Sequence, residues 1–354
     1  MPDSLKISVS IPTFSRAETL RKTIAHLADQ DLYPASYEVV IADDGSPDNT
    51  REVVAELQAK VPFRLRYHHH ANRGIGATQN CGIREAKAPV VLMIADDILL
   101  SRRALRAHLE SHQAYPEPEV AILGNVQQSP DMCDTAFLRT WNLFRFEDFA
   151  KLAEVPYYRF WAANISAKRD FLLRGGLFRG DLGRGGPAAH EDVELGCRLQ
   201  GLGLRIFHNP AALGFHYHVV SREKACVRAY EQGLNFDEFR HFTSAPEIPV
   251  VYHDLRWSTL GDHFRAWFGR SRQSLARGDR NPFVAIARHL ARRAAFNRVT
   301  VPLIWDPLFE RAERDPRIES LMRPAFYRGL IAYHFFRGCR EGNRRFGVPH
   351  PDRV

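Results

Sequence analysis

VVLMIADD, residues 90–97, runs six apolar or small side chains straight into two adjacent carboxylates. The apolar part, 90–95, reads as a strand, and Asp96-Asp97 then sits at its end. Working outward, 6–11 (KISVSI) is a first strand, 38–42 (EVVIA) a second and 63–68 a third, while 119–124 (EVAILG) follows as a fifth. Helical spacing separates them. Leu20, Ile24, Leu27 and Ala28 share one face of a helix over 16–29, opened by a capping-box pair, Ser15 and Glu18. Val53, Val54 and Leu57 mark the next helix, and 76–87 and 102–114 give two more. This βαβαβα order predicts an α/β fold with a mostly parallel sheet flanked by helices on both faces. Ligands of such sheets bind beyond the carboxyl ends of the strands. Beyond residue 190 the pattern predicts a helix over 191–201, short strands over 204–207 and 213–218, and a helical tail from 221 with breaks at Pro246, Pro282 and Pro302.

The acids at the strand ends carry the chemistry. Carboxylate oxygens suit hard cations such as Mn²⁺ and Mg²⁺, which bridge protein acids to a diphosphate. Asp96-Asp97 fits that use, and also fits a solvated turn. Asp43-Asp44-Gly45-Ser46 ends the second strand, where a carboxylate can accept from a nucleobase or a ribose hydroxyl; a helix cap with a glycine turn is the plainer reading. His190-Glu191-Asp192 opens a helix, where the helix N-terminus favours the ionised carboxylate a general base needs, or where the acids simply cap. The preceding GDLGRGGPAA (180–189) lacks the Lys-Ser/Thr of a phosphate loop. His216 and His218 alternate along a strand and so face one way, a spacing for imidazole ligands as well as for structural histidines. His68-His69-His70 reads as a strand end.

Taken together, SVSIPTFSRAETLRKTIAHL (8–27), VVIADDGS (39–46), NRGIGATQNCGIREAKAPVVLMIADD (72–97) and HEDVELGCRLQGLGLRIFHNPAALGFHYH (190–218) resemble glycosyltransferase family 2, in order, over about residues 5–220. The resemblance implies a GT-A fold, Rossmann-like, and an inverting transfer from a nucleoside-diphosphate sugar, a UDP-sugar by default or a dTDP-sugar, to a hydroxyl acceptor such as a cell-surface or lipid-linked glycan. It implies nucleotide contacts from Pro12, Thr13, Asp43, Asp44, Arg73 and Asp96. It also implies a divalent metal on Asp97 with His216 or His218, Asp192 as catalytic base with Glu191 beside it, and Trp161 and Asn164 near the donor or acceptor sugar. Two positions depart from the family pattern. Ala95 stands at the first acid of the DxD motif, and Gln79 stands where an arginine is common, leaving Arg73 to supply a phosphate contact. These departures are the basis of an alternative, a catalytically impaired nucleotide-binding or scaffold subunit of the same fold.

Charge divides the chain. Residues 1–239 hold 28 Lys and Arg against 30 Asp and Glu, whereas 240–354 hold 21 Arg, no Lys and 11 acids. The expected organisation is therefore a catalytic domain over 1–220 and a basic, mainly helical region over 221–354. The stretches 264–277 and 283–298 mix arginines with apolar residues, as does a helix lying on an anionic membrane or one packing its apolar face within the fold. The absence of a signal-type apolar stretch or a long apolar run, and five widely spaced cysteines, lead to the expectation of a cytoplasmic protein with at most peripheral membrane contact. No nucleic-acid module is recognisable in the basic tail, so no nucleic-acid partner is expected. A nucleotidyltransferase would carry a Gly-rich basic loop after the first strand, which IPTFSRAETL lacks.

Overall fold

The computed structural model describes residues 4–132, 135, 137–138, 152–180, 182, 190–218, 220–236, 239, 291 and 294–346. Their contacts divide into two compact units. The first comprises the described residues up to 132, 152–182 and 190–218; the second comprises 135, 137–138 and 220 onward.

The first unit is built on a nine-stranded sheet. Its strands are β1 (Ile7–Thr13), β2 (Tyr37–Asp43), β3 (Arg64–His69), β4 (Val90–Ile94), β5 (Ile98–Leu100), β6 (Val120–Gln128), β7 (Glu154–Val155), β8 (Asn164–Lys168) and β9 (Arg205–His216). The spatial order is β3-β2-β1-β4-β8-β6-β9-β5, with β7 on β9. β1, β2 and β4 are buried at every position, as strands covered on both faces must be. The pairings of β1 with β2 and β4, of β2 with β3 and of β6 with β9 are parallel. β8 is antiparallel to both β4 and β6, so those two also run the same way. The carboxyl ends of β1, β2, β3, β4, β6 and β9 therefore share one rim, and β8, running the other way, begins there at Asn164.

Helices connect these strands: α1 (Ala17–Ala28), α2 (Thr50–Gln58), α3 (Ile75–Glu85), α4 (Ala104–Ala114), α5 (Arg169–Arg174) and α6 (Glu191–Gln200). On α1 the spacing of Leu20, Thr23, Ile24 and Leu27 buries one face. The expected capping box does not form. Ser15 takes a left-handed backbone with φ of 55°, Arg16 is the N-cap, and the Ser15 amide donates to Ser46 Oγ at 2.8 Å.

The two short strands expected near 204–218 are one strand, β9, with an interruption. Gly124 pairs with Asn209 and Asn125 with Leu213, so Pro210, Ala211 and Ala212 are extra residues bulged out of the ladder. Proline suits a bulge because it has no N–H to give the ladder. The Asn164 amide holds the bulge by donating to Ala212 O at 2.9 Å and to Asn125 O at 3.1 Å. Gly124 lies under that amide: a Cβ there would fall 2.3 Å from Asn164 Nδ2.

In the second unit α7 (Arg222–Leu234) packs on α9 (Pro324–Phe346) at backbone contact, with Gly233 against Phe335 O and Gly338 against Tyr230 O. Ser221 caps α7, accepting from Lys224 N at 3.2 Å. Arg222 is buried and pairs with Glu313 at 2.7 Å on α8 (Asp306–Arg314). Pro302 does not break the chain as expected. It sits in the first turn of a π-helical segment, Val301–Trp305, that leads directly into α8. Pro246, Pro282, the stretch 264–277 and most of 283–298 lie outside the described residues. Among the described residues no helix is long and apolar enough to cross a membrane.

Candidate active site

The rim collects the acids. Asp96 and Asp97 occupy the link between β4 and β5 and are only 4% and 5% exposed. Two adjacent buried carboxylates need compensating charge and donors. Thr13, the last residue of β1, donates to Asp96 Oδ2 at 2.8 Å. Arg16, at the head of α1, bridges the pair: Nη1 lies 2.6 Å from Asp96 Oδ1 and 2.8 Å from Asp97 Oδ2. Its Nη2 donates to His218 Nδ1. Thr23 Oγ1 and the Tyr217 amide hold the backbone carbonyls of Asp96 and Asp97 at 2.6 and 2.8 Å.

His216 ends β9 and His218 follows it. Their rings stack with centroids 5.4 Å apart, and both face Asp97 Oδ2, His218 Nδ1 at 3.1 Å and His216 Nε2 at 3.7 Å. One oxygen and two ring nitrogens thus lie within 4.8 Å of one another. Burial pushes the Asp96 carboxyl up to about 6, against the pull of Arg16. Burial also opposes the charge on Asp97, but the facing His216 imidazole and the Arg16 charge outweigh it and hold Asp97 below the usual carboxylate range. The donor set of a carboxylate oxygen and two imidazole nitrogens fits a divalent transition ion and fits Mn²⁺ better than the oxygen-preferring Mg²⁺.

Asp43 and Asp44 close the neighbouring strand end. Asp43 Oδ1 accepts from Ser46 N and Oγ at 2.9 and 2.6 Å, and Oδ2 accepts from Tyr67. Asp44 takes the Arg73 amide at 2.8 Å and the Gly74 amide at 3.0 Å, which ties the head of α3 to β2. Gly45, with φ of 80°, makes the turn; a Cβ there would meet Asn72 N at 3.0 Å. These two acids therefore shape the rim from buried positions. The Arg73 side chain lines a cleft of about 250 Å³ together with His70, Ala77, Cys81, Arg84 and Glu85. Gln79 is buried within α3. Pro12 is buried beside Thr13 in β1.

Asp192 lies in the first turn of α6, half-buried, and accepts from the Val193 amide at 2.8 Å; Glu191 beside it is buried. α6 packs on the segment before β8: a Cβ on Gly196 would come 2.4 Å from Tyr157 O. That segment continues through Trp161, whose carbonyl accepts from the Asn164 amide at 3.3 Å, and Asn164 pairs with Ile94 next to the acids. The chain thus leads from α6 to the same rim. Asn164 needs correcting as a sugar ligand. It is 1% exposed, with its amide N–H groups spent on the bulge and its Oδ1 on His108.

Sequence reasoning missed two features. One is Arg16, whose signal was a lone cation between the first strand's end and the helix facing the acids. The other is a buried relay. The Lys168 ammonium donates to His112 Nδ1 at 2.7 Å, so the His112 proton is on Nε2 and donates to Ser166 Oγ at 2.9 Å. The Ser166 hydroxyl then donates to His108 Nδ1 at 2.8 Å, and His108 Nε2 donates to Asn164 at 3.1 Å. Period-3.6 spacing marked His108 and His112 only as helical positions.

Burial lowers His108 to about 4; for His112 burial, then the Lys168 charge, lower it to about 2. Both are neutral in the fold and take up a proton on unfolding near pH 6.5. Their contribution to stability is therefore complete above pH 6.5 and is lost as pH falls from there, toward 4 for His108 and toward 2 for His112. Each group contributes at most about 1.4 kcal/mol per pH unit, and with the unfolded imidazoles still partly neutral at pH 6 the pair costs roughly 2.4 kcal/mol between pH 6 and 5. Denaturant unfolding at those two pH values reads this. A His108→Gln/His112→Gln variant should show a flatter profile, and equal slopes for variant and parent would refute the relay as the source.

The sheet order and rim define a GT-A fold. A solved mannosyltransferase, PcManGT from Pyrobaculum calidifontis in complex with GDP-Man and Mn²⁺, shares it with a TM-score of 0.56 at 19% identity, over 94% of this chain and 87% of that one. Residues 8–165 match the family model described as Glycosyl transferase family 2. Validoxylamine A glucosyltransferase from Streptomyces hygroscopicus subsp. limoneus is 27% identical over 271 residues, covering 68% of this chain and 58% of the relative. Chondroitin synthase from Escherichia coli is 25% identical over 260 residues, covering 63% of this chain and 36% of the relative. The chain thus spans less than two thirds of the length of these relatives.

Proposed function

We propose that the chain is an inverting glycosyltransferase moving a sugar from a nucleoside-diphosphate sugar, a UDP-sugar by default or a dTDP-sugar, to a hydroxyl of a cell-surface or lipid-linked glycan. The observation carrying this reading is the convergence of Asp97, His216 and His218 on one point of the rim. Thr13, Asp43, Asp44, Arg73 and Asp96 line the strand ends where the nucleotide binds. Asp97, His216 and His218 hold a divalent cation, preferentially Mn²⁺. When bound, that ion supplies positive charge against the diphosphate leaving group.

Asp192 accepts the proton of the acceptor hydroxyl as its oxygen bonds to the anomeric carbon. The carbon–oxygen bond to the diphosphate breaks, and the nucleoside diphosphate leaves with the electron pair. Glu191 orients the acceptor and Trp161 offers a flat face to a sugar. The place of action is the cytoplasm, with the arginine-rich C-terminal region touching an anionic membrane surface, an attachment that vesicle sedimentation in low and high salt reads directly.

A thermal-shift panel of UDP, GDP, dTDP and CDP, with and without Mn²⁺, tests the reading. A ligand of the native state raises the melting midpoint by mass action. One nucleotide should do so in a Mn²⁺-dependent way. No shift with any of the four would favour the scaffold alternative.

A further inference from the structure

Arg16 meets the same atoms that a cation on this rim would use. Its Nη1 is 2.8 Å from Asp97 Oδ2, the oxygen toward which both imidazoles point. Its Nη2 contacts His218 Nδ1. A guanidinium only donates, so it meets the lone pair of that nitrogen, the same lone pair a metal would take. Nη1 also reaches Asp96 Oδ1 at 2.6 Å, so one side chain neutralises both buried acids. A guanidinium and a divalent ion cannot hold Asp97 Oδ2 and His218 Nδ1 together: they compete for the same two atoms and carry like charge.

Arg16 is also placed to leave. It lies at the N-cap of α1, before the first helical turn, and its side chain is 30% exposed while both acids are nearly closed to solvent. The donor's diphosphate would bring new negative charge to this rim. Arginine pairs with phosphate oxygens in a forked, two-point geometry that it keeps at any ordinary pH.

We propose that Arg16 is an exchangeable counter-charge: it occupies the cation position of the metal-free chain, is displaced when the ion binds Asp97, and then clamps the donor diphosphate. This inference rests on the metal site proposed above and adds a residue and an order of events to it. It also accounts for the 2.6 and 2.8 Å contacts by which one side chain neutralises two adjacent buried acids, whose charge would otherwise be costly.

The test separates two affinities that a purely structural arginine would move together. Mn²⁺ alone is titrated into the full chain and followed by electron paramagnetic resonance; UDP and GDP are then titrated by calorimetry in saturating Mn²⁺. Arg16→Gln removes the competitor but keeps a polar side chain. It should bind Mn²⁺ about tenfold more tightly than the parent and bind the nucleoside diphosphate about tenfold more weakly, roughly the effect of one lost charge-assisted contact. Arg16→Lys keeps one charge without the fork, should fall between the two on both readouts, and guards against a folding failure of the glutamine variant. Unchanged or weaker Mn²⁺ binding by both folded variants overturns the exchange, as does unaltered diphosphate affinity. If neither parent nor variants bind Mn²⁺, the metal site itself fails, a result distinct from binding that is indifferent to Arg16.

Discussion

Asp192→Asn lowers turnover by about 10²–10⁴-fold, the range a positioned general base supplies, and leaves donor binding intact. The substitution keeps the shape of the side chain and its acceptor oxygen, so the Val193 amide that bonds Asp192 at 2.8 Å retains a partner and the first turn of α6 keeps its geometry. What goes is the lone-pair basicity that accepts the acceptor's proton. Initial rates and nucleotide binding, measured on one preparation, check both halves. Normal transfer by the variant would falsify the assignment of the base. Loss of donor binding along with rate would instead place Asp192 in the donor pocket.

Asp97→Asn abolishes the Mn²⁺-dependent part of nucleotide binding and costs turnover at least about 10²–10³-fold, since charge set against a developing oxyanion is worth that much in a buried site. The fold persists: Arg16 keeps its 2.6 Å contact with Asp96, so removing one negative charge strands no cation. The comparison is of melting midpoints with UDP or GDP, with and without Mn²⁺. A Mn²⁺-dependent shift that survives the substitution places the ion elsewhere.

Much of this was legible in the residues. Apolar runs ending in acids gave the strands and their rim, because β1, β2 and β4 are buried on both faces and show no polar alternation to confuse the period. Asp97 with His216 or His218 was legible only through the resemblance to glycosyltransferase family 2, since the spacing of the histidines fits a structural pair equally well. Long-range side-chain geometry was not legible. That Arg16 reaches across to residues 80 positions away, or that Asn164 is spent on a relay, depends on contacts that no local spacing encodes. The β9 bulge was half seen: the gap at NPAA split one strand into two because proline and two small residues break the period without ending the ladder.

The bulge also makes the chain sensitive to the parity of any insertion or deletion there. β6 is continuous, and His208 and His216 pair with its residues 123 and 128, five apart, so the two histidines point to opposite faces although eight residues separate them. A length change of one in 210–212 that the ladder absorbs would swing His216 to the opposite face from Asp97, while a change of two would return it. A length change taken up inside the bulge instead leaves His216 opposite Gln128 and on the Asp97 face, so related chains that keep the histidine can vary the bulge as long as the register of 213–216 against β6 is kept.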